Sequence, residues 1–456
     1  MTDWTVRVRG DHRTKEVLRV ERFLQLNDIE YQLGQPLDEA KVAVELLESG
    51  EVRKTLTGDG VIAELTRELG LSTRREQQKY YDLIVVGGGP AGMSAALNAR
   101  TLYKWETLIV ENSAPGGTAG TVLNPIDNYL GVFPEDKGGE GPLGIELAHT
   151  WMRQINYWGI QWLPGYEVTA LAPAEEDRRD PETPASLYAA YRLTLTSRDG
   201  RISEELYAGM ILIATGRKPR LLNCPGEDTY LGRGIYYGAL YADVERAAEP
   251  GVIGIVGGGD TAAVAATEFA ERKEKLGDSY HQVVMFVRSH LAKDMVQANL
   301  DNVRKYIDRG VITVHEGTSV YECVGYEGRF DGVRYGNSDG KTPEDLLEPC
   351  SLSSLYVLIG ADPDLGWLDG IEGVTLRDGY VETTGTGLTF TGAPGIHAAG
   401  DIRYGSTRRI SAAVGEGGAG AIEMHERLKT VWKTAIKPGT SMYAYYEALA
   451  NEKAEH

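Results

Sequence analysis

The chain has 456 residues, 42% of them hydrophobic, and 47 Lys and Arg against 66 Asp and Glu for a formal net charge of −19; this is the composition of a folded protein with room for about three domains of ~150 residues. So acidic a chain, with no basic tract interleaved with aromatic residues, repels a phosphate backbone and excludes nucleic acid as an expected partner. The start, MTDWTVRVRGDHR, lacks the apolar run of a signal peptide, and no stretch of ~18 uncharged apolar residues occurs, so a cytoplasmic location with no membrane contact is expected.

Taken in order, residues 4–9 predict a strand, 14–27 a helix, 29–33 a strand, and 39–47 and 60–69 two further helices, together a small α/β module over 1–75. The polar run STRREQQKYYD then predicts a linker, placed at 76–80. From Asp82 the pattern becomes apolar strand, glycine-rich turn, helix and strand, and it recurs from Gly251. Two nucleotide-binding units are implied. The three cysteines, Cys224, Cys323 and Cys350, stand far apart, and their spacing offers neither a metal-ligand pair nor a disulfide framework.

In the first unit the strand DLIVV runs into Gly87, Gly89 and Gly92, with Pro90 and Ala91 opening the helix. Gly87 permits the tight turn, Gly89 the approach of a pyrophosphate, and Gly92 close packing of helix on strand, while the helix N-terminus supplies partial positive charge. The next strand, 107–110, ends in Glu111, 19 residues after Gly92, where an acid can bind ribose hydroxyls. Far downstream, Gly400-Asp401 follows a buried strand and can serve a ribityl hydroxyl or phosphate, with small residues beyond it for a helix aimed at the ligand. Arg408 and Arg409 read either as contacts to a flavin pyrimidine edge or as a solvated pair.

In the second unit, strand 252–256 leads into Gly257, Gly259 and Ala262, with Asp260 and Thr261 between the last two. Its next strand ends in Arg288, with His290 and Lys293 close behind. A cation there suits a 2′-phosphate, which favours NADPH over NADH; the alternative is an ordinary solvated strand end.

The motifs VVGGGPAG, ENSAPGG, IDNYLG, IATGRKP, GGGDTA, LIGADP and AAGDIR…RRI, in this order over about 81–426, resemble the bacterial-type, low-molecular-weight thioredoxin reductases. The resemblance implies an α/β fold of two Rossmann-like three-layer domains and a homodimer. An FAD-binding domain covers 81–227 and 345–430, an NAD(P)H-binding domain 228–344 is inserted into it, and a tail follows at 431–456. It adds Gly117, Thr118, Asn128, Val168, Thr215, Gly216 and Ile410 to the FAD residues. The family's redox-active CxxC is missing: the corresponding stretch reads GIYYGALY, and no dithiol route from flavin to a bound thioredoxin is expected. The N-terminal module is similar to a glutaredoxin or thioredoxin fold without thiols, its active-site turn reading GDHRTKE.

The expected activity is hydride transfer from NAD(P)H to FAD, which needs the two rings held ~3–3.5 Å apart and no acid or base, so no catalytic residue is assigned and no metal is expected. The preferred acceptor is a ferredoxin- or flavodoxin-type carrier, docked by Arg217, Lys218, Arg220, Arg403, Arg408 and Arg409. The alternatives are a thioredoxin or small-disulfide reductase using distant cysteines such as Cys224 with Cys323 or Cys350, or a flavin-based sensor that is reduced once and stalls. In the tail, Tyr443, Tyr445 and Tyr446 read as a flavin cover or as the docking face of a short helix.

Overall fold

A computed structural model describes residues 4–10, 15–27, 29–35, 42–57, 61–112, 115–121, 126, 128–132, 141–174, 190–197, 202–232, 234–238, 251–275, 282–291, 293, 295–326, 329–340, 347–384 and 388–430. The N-terminal module runs β1 (Thr5–Gly10), α1 (Lys15–Leu26), β2 (Tyr31–Gly34), β3 (Val42–Glu48), β4 (Glu51–Thr57) and α2 (Val61–Glu68). Its sheet has the order β2-β1-β3-β4, with β1 and β2 parallel and the other pairs antiparallel. Within the stretch expected as a helix over 39–47, residues 42–47 are therefore strand. Residues 42–47 are all buried, and a segment apolar on both faces lacks the two-residue alternation that marks a half-exposed strand. Glu45 is accommodated there by Arg7 and Arg9, at 3.3 and 2.7 Å. The thiol-less turn at 11–14 lies outside the described residues, as do Tyr443, Tyr445 and Tyr446.

The first nucleotide unit continues with β5 (Tyr80–Val86), α3 (Pro90–Tyr103), β6 (Thr107–Glu111), α4 (Gly144–Tyr157), β7 (Gln161–Pro164), β8 (Tyr166–Pro173), β9 (Tyr191–Ser197), β10 (Ser203–Ile213), β11 (Lys218–Pro219) and α5 (Glu227–Tyr230). The middle unit supplies β12 (Ile235–Tyr237), β13 (Ile253–Val256), α6 (Asp260–Lys275), β14 (Val283–Val287), α7 (Gln297–Asp308) and β15 (Ile312–Glu316), then β16 (Thr318–Tyr326), β17 (Arg329–Asn337), β18 (Glu348–Ser351) and β19 (Ser354–Val357). The chain returns through β20 (Ala361–Asp362), the hairpin β21 (Leu376–Arg377) and β22 (Tyr380–Val381), β23 (Ile396–Ala398) and α8 (Ile410–Thr430).

Strand β10 joins the halves of the first unit, pairing β5 and β23 in parallel and β9 antiparallel. Its sheet, β7-β6-β5-β10-β9-β8 with β23 on β10, is cored on one face by Ile84, Leu108, Leu193, Ile211 and Ile396, and on the other by Leu83, Val85, Ile109 and Leu212 under α3 and α8. Both faces are covered, so these strands read as continuous apolar runs. The middle unit has a parallel sheet β12-β19-β13-β14-β15 and an antiparallel one β16-β17-β18. Because β18 and β19 pair within these sheets, the middle unit runs past the expected boundary at 344, and the return falls where β11 pairs β20. A strand such as SLYV carries no mark of the sheet that takes it up.

The polar run after the module is docked rather than free. Thr73 N–H donates to the Trp162 carbonyl (3.0 Å), and Trp162 N–H to Thr73 Oγ1 (2.9 Å), along edge strand β7. Arg74 and Lys79 both bind Glu204. Burial alone would raise that carboxyl, but the two hydrogen-bonded cations hold it below its ordinary range.

Candidate nucleotide-binding clefts and a cysteine pair

The first glycine turn is shaped by backbone contacts. Gly87 has φ 112°, and its N–H donates to the Val110 carbonyl on β6 (2.8 Å). A Cβ on Gly87 would stand 2.3 Å from the Ala214 carbonyl oxygen, and one on Gly92 2.0 Å from that of Gly87. Gly89 differs: it is the N-cap of α3, with Pro90 next, and a Cβ there would meet nothing within 4 Å. Buried Glu111 ends β6 and accepts the Gly88 N–H at 2.6 Å, so its carboxylate fixes the loop.

Three distant segments close on this turn. Gly117 (φ 52°) lies so near Gly89 that its Cβ would come 3.1 Å from the Gly89 Cα, and Gly116 N–H donates to the Gly88 carbonyl (3.0 Å). Thr215 and Gly216 leave β10 beside it, and the Thr215 hydroxyl is buried with no hydrogen-bond partner among the described residues. Gly400 (φ 82°) packs on Ala91, with a would-be Cβ contact of 2.9 Å. On α8, a Cβ at Gly417 would stand 2.0 Å from the Ala91 carbonyl oxygen, so α3 and α8 meet backbone to backbone. An orphaned buried hydroxyl beside a glycine turn at a helix N-terminus suits a phosphate- and ribose-bearing group.

Other expected residues are placed differently. Asp401 faces Arg217 at 3.5 Å. Val168 is a buried ladder residue opposite Leu195, whereas Thr118 and Asn128 are exposed, and no hydrogen bond joins Asn128 to the turn among the described residues. Ile410 opens α8. Arg408 (φ 56°) lies over the Tyr380 ring at 5.4 Å, and Arg409 is exposed just before α8. Glu416 carried no sequence signal, yet it accepts the Gly400 N–H (2.7 Å) and binds Arg403 (2.8 Å) in a buried pair.

The expected cationic docking patch is largely closed by acids. Arg217 meets Asp401, Lys218 meets Asp364 (2.8 Å), Arg403 meets Glu416, and Arg220 grips Asp362 through two bonds of 2.8 and 2.7 Å.

In the middle unit Gly257 has φ 144°, and a Cβ there would stand 2.4 Å from the Leu358 carbonyl oxygen. The Gly259 carbonyl accepts the Ala263 N–H (3.0 Å) to open α6, and Thr261 is exposed beside it. Asp260 has a structural task, its Oδ1 accepting from Val296 N–H (2.8 Å) and Asn299 (2.9 Å) at the start of α7. Arg288 and Lys293 are exposed, and neither forms an ion pair among the described residues. An acid does lie nearby, one strand over: Glu316 accepts the Leu291 N–H (2.8 Å), which holds its carboxyl below the ordinary range, and lies 3.4 Å from His290.

The cysteines are not isolated in space. Cys224 Sγ lies 3.7 Å from Cys323 Sγ, although 99 residues separate them. Cys224 is half-buried on the loop between β11 and α5, and Cys323 is buried on β16. The fold lays that loop on β16 and so brings together the two cysteines that the alternative reading paired across the sequence. Among the described residues no group of three or more His, Cys, Asp or Glu side chains is placed to hold a metal ion.

Two sheets, one mixed and one parallel, the second inserted into the unit of the first and each with a glycine turn that opens a helix, define a nucleotide-binding α/β protein with two dinucleotide clefts. The family described as pyridine nucleotide-disulphide oxidoreductase matches residues 81–417, and the chain belongs to it. It is similar to the thioredoxin reductase of Listeria monocytogenes, 27% identical over 348 residues that cover 75% of this chain and 92% of that protein. It is also similar to the thioredoxin reductase of Bacillus subtilis, 28% identical over 374 residues that cover 78% of this chain and 99% of that protein. The crystal structure of Lactococcus lactis thioredoxin reductase superposes with a TM-score of 0.56 at 26% identity, covering 76% and 98% of the two chains. The chain is thus a thioredoxin reductase-like flavoprotein of a family that binds FAD and a pyridine nucleotide. No described helix is long and apolar enough to cross a membrane.

Proposed function

We propose that the chain is an FAD-dependent NADPH oxidoreductase whose acceptor is a disulfide. The observation that carries the flavin reading is the convergence of 87–92, 116–118, 215–217 and 400–401 around one helix N-terminus, with the Thr215 hydroxyl unpaired inside it. Gly89 and the α3 N-terminus would hold the pyrophosphate, Glu111 the ribose, and Thr215 and Asp401 hydroxyls or phosphate of the chain beyond. When bound, FAD supplies the two-electron acceptor for a nicotinamide hydride.

Arg288 and Lys293 support NADPH, because an exposed cation at that strand end can meet a 2′-phosphate. For the acceptor, closure of Arg217, Lys218, Arg220 and Arg403 by acids weighs against an acidic one-electron carrier, and the contact between Cys224 and Cys323 favours thiol chemistry. Homodimer formation is part of the same proposal, by likeness to the family. The test is an NADPH-dependent acceptor screen on flavin-loaded protein with dye, ferredoxin, thioredoxin and a small disulfide in parallel. Sustained dye and disulfide turnover is expected; turnover with ferredoxin alone overturns the acceptor, and a single reduction with no cycling retires the enzyme in favour of a sensor.

A further inference from the structure

Three features of the loop before α5 bring its cysteine onto β16. Buried Glu227 accepts the N–H groups of Leu222 (3.0 Å) and Asn223 (2.6 Å) and the hydroxyl of Tyr237, which pins the turn ahead of Cys224. Gly226, at φ 81°, presses so closely on β16 that a Cβ would stand 2.0 Å from the Cys323 carbonyl oxygen. Cys323 N–H then donates to the Pro225 carbonyl (2.9 Å), tying the two backbones together beside the two sulfurs.

We propose that Cys224 and Cys323 form a thiol–disulfide exchange site where the loop before α5 meets β16 of the middle unit, with Cys224 the attacking sulfur and Cys323 the resolving one, and a low-molecular-weight disulfide as oxidant. The inference deepens the proposed function and rests on it only for the class of acceptor. Exposure sets the roles: Cys224 is half-buried at the loop surface, and Cys323 lies beneath it at 3% exposure. Ionisation agrees. The hydrogen bond from Cys323 pulls the Cys224 thiol down, whereas that same bond and burial push Cys323 up, so the reachable sulfur is the more easily ionised of the two.

The exchange balances. The Cys224 thiolate attacks one sulfur of R–S–S–R, that S–S bond breaks, and the first thiolate leaves and takes up a proton. Cys323 then gives up its proton and attacks the Cys224 sulfur of the mixed disulfide, expelling the second thiolate. Two protein thiols are oxidised by two electrons, one disulfide is reduced to two thiols, and the protons of the protein thiols end on the products. An excess of small thiol reverses the sequence. The 3.7 Å contact must shorten by roughly 1.7 Å to reach a bond of ~2.05 Å. Cys350 cannot take the place of Cys224 as partner of Cys323: Val333 stands between them in register, which sets the two strands about 9.6 Å apart.

The test treats reduced, flavin-loaded protein with cystamine, a small cationic disulfide suited to an acidic protein, then blocks free thiols with an alkylating agent and maps peptides by mass. Wild type and Cys350→Ser should yield the linked Cys224–Cys323 peptides. Cys323→Ser should stop with the cysteamine half of the probe on Cys224, and Cys224→Ser should react at Cys323 at least tenfold more slowly. Free Cys224 and Cys323 in wild type under excess cystamine, or a Cys323→Ser protein whose adduct sits on Cys350, overturns the site. Wild-type mapping decides even where a variant fails to fold. NADPH-to-dye turnover on the same samples separates the two readings, since it should persist in wild type and stay within a few-fold in Cys350→Ser, and its loss in wild type would retire the flavin reading instead.

Discussion

The turns at Gly87 and Gly257 are one backbone device used twice, and they differ in what closes the strand that follows. Each starts with a glycine at positive φ against a carbonyl oxygen, of Ala214 in the first unit and Leu358 in the second. After the next strand, however, the first unit has buried Glu111 bonded back to Gly88, and the second has exposed Arg288, with its acid, Glu316, one strand further on. Sterics set the shape of the turn, and the residue at the second strand end sets the chemistry of what it can hold.

The steric device that the two turns share is tested most severely at Gly87. Gly87→Ala combines φ 112° with a backbone overlap at 2.3 Å, so a loss of several kcal/mol and of bound flavin is expected, enough to leave the first unit unfolded. Gly89→Ala meets no atom within 4 Å, so it should keep its melting temperature while flavin affinity falls. Thermal melts and the flavin-to-protein absorbance ratio read both, and a stable, flavin-loaded Gly87→Ala protein would refute the steric account.

Next in size is Glu111→Ala, which orphans a buried N–H and should lower stability by about 2–3 kcal/mol; denaturant unfolding measures it, and a change within ~0.5 kcal/mol would show that the carboxylate does not hold the loop. Arg288→Ala sharpens the other side of the contrast. It should weaken NADPH about tenfold to a hundredfold by removing one charge-assisted phosphate contact, and leave NADH nearly unchanged. Equal losses in titrations with the two coenzymes would remove the basis for the preference.

The smallest effect concerns pH and the first unit alone. Burial of His397, helped by the charge of Arg427, pushes its imidazole down to about 3, with Thr389 Oγ1 at 2.9 Å from Nδ1. An unfolded imidazole binds its proton near 6.5, so between 6.5 and 3 the unfolded state holds more protons. Stability is present in full above that window and is lost as pH falls through it, by at most ~1.4 kcal/mol per pH unit. His397→Asn should flatten that slope relative to wild type in melts from pH 7 to 5; parallel slopes would show that the group is not neutral when folded.

Both glycine turns, and the place of Glu111 at the end of the strand that follows the first, were legible because their spacing is local and sterically dictated. The helix expected over 39–47 failed because Val42–Leu47 are buried on both faces of a central strand, where periodicity carries no phase. The boundary at 344 failed because two further strands, β18 and β19, return to the middle sheets before the chain leaves them. The pairing of Cys224 with Cys323 could stand only as an alternative to Cys350 for a different reason: their meeting depends on a loop pinned by Glu227 and on Gly226 passing over a carbonyl, neither of which has a linear signature. Asp260 shows the converse, a motif residue with a task its motif does not announce, since its carboxylate holds the start of the next helix.

Strand β10, complete at Ile213, takes β5 on one side early in the chain but must wait for β23, Ile396–Ala398, to finish its C-terminal half. On a ribosome adding roughly 5–20 residues per second, the whole middle unit emerges in that interval, and its own sheet is closed by β19 about forty residues before β23 is made. The order of synthesis therefore lets the inserted unit fold first, and its formation holds the ends of β11 and β20 together as a ready-made short loop. The long chain closure that the first unit would otherwise face, which grows with the logarithm of loop length, is replaced by the joining of two ends already side by side.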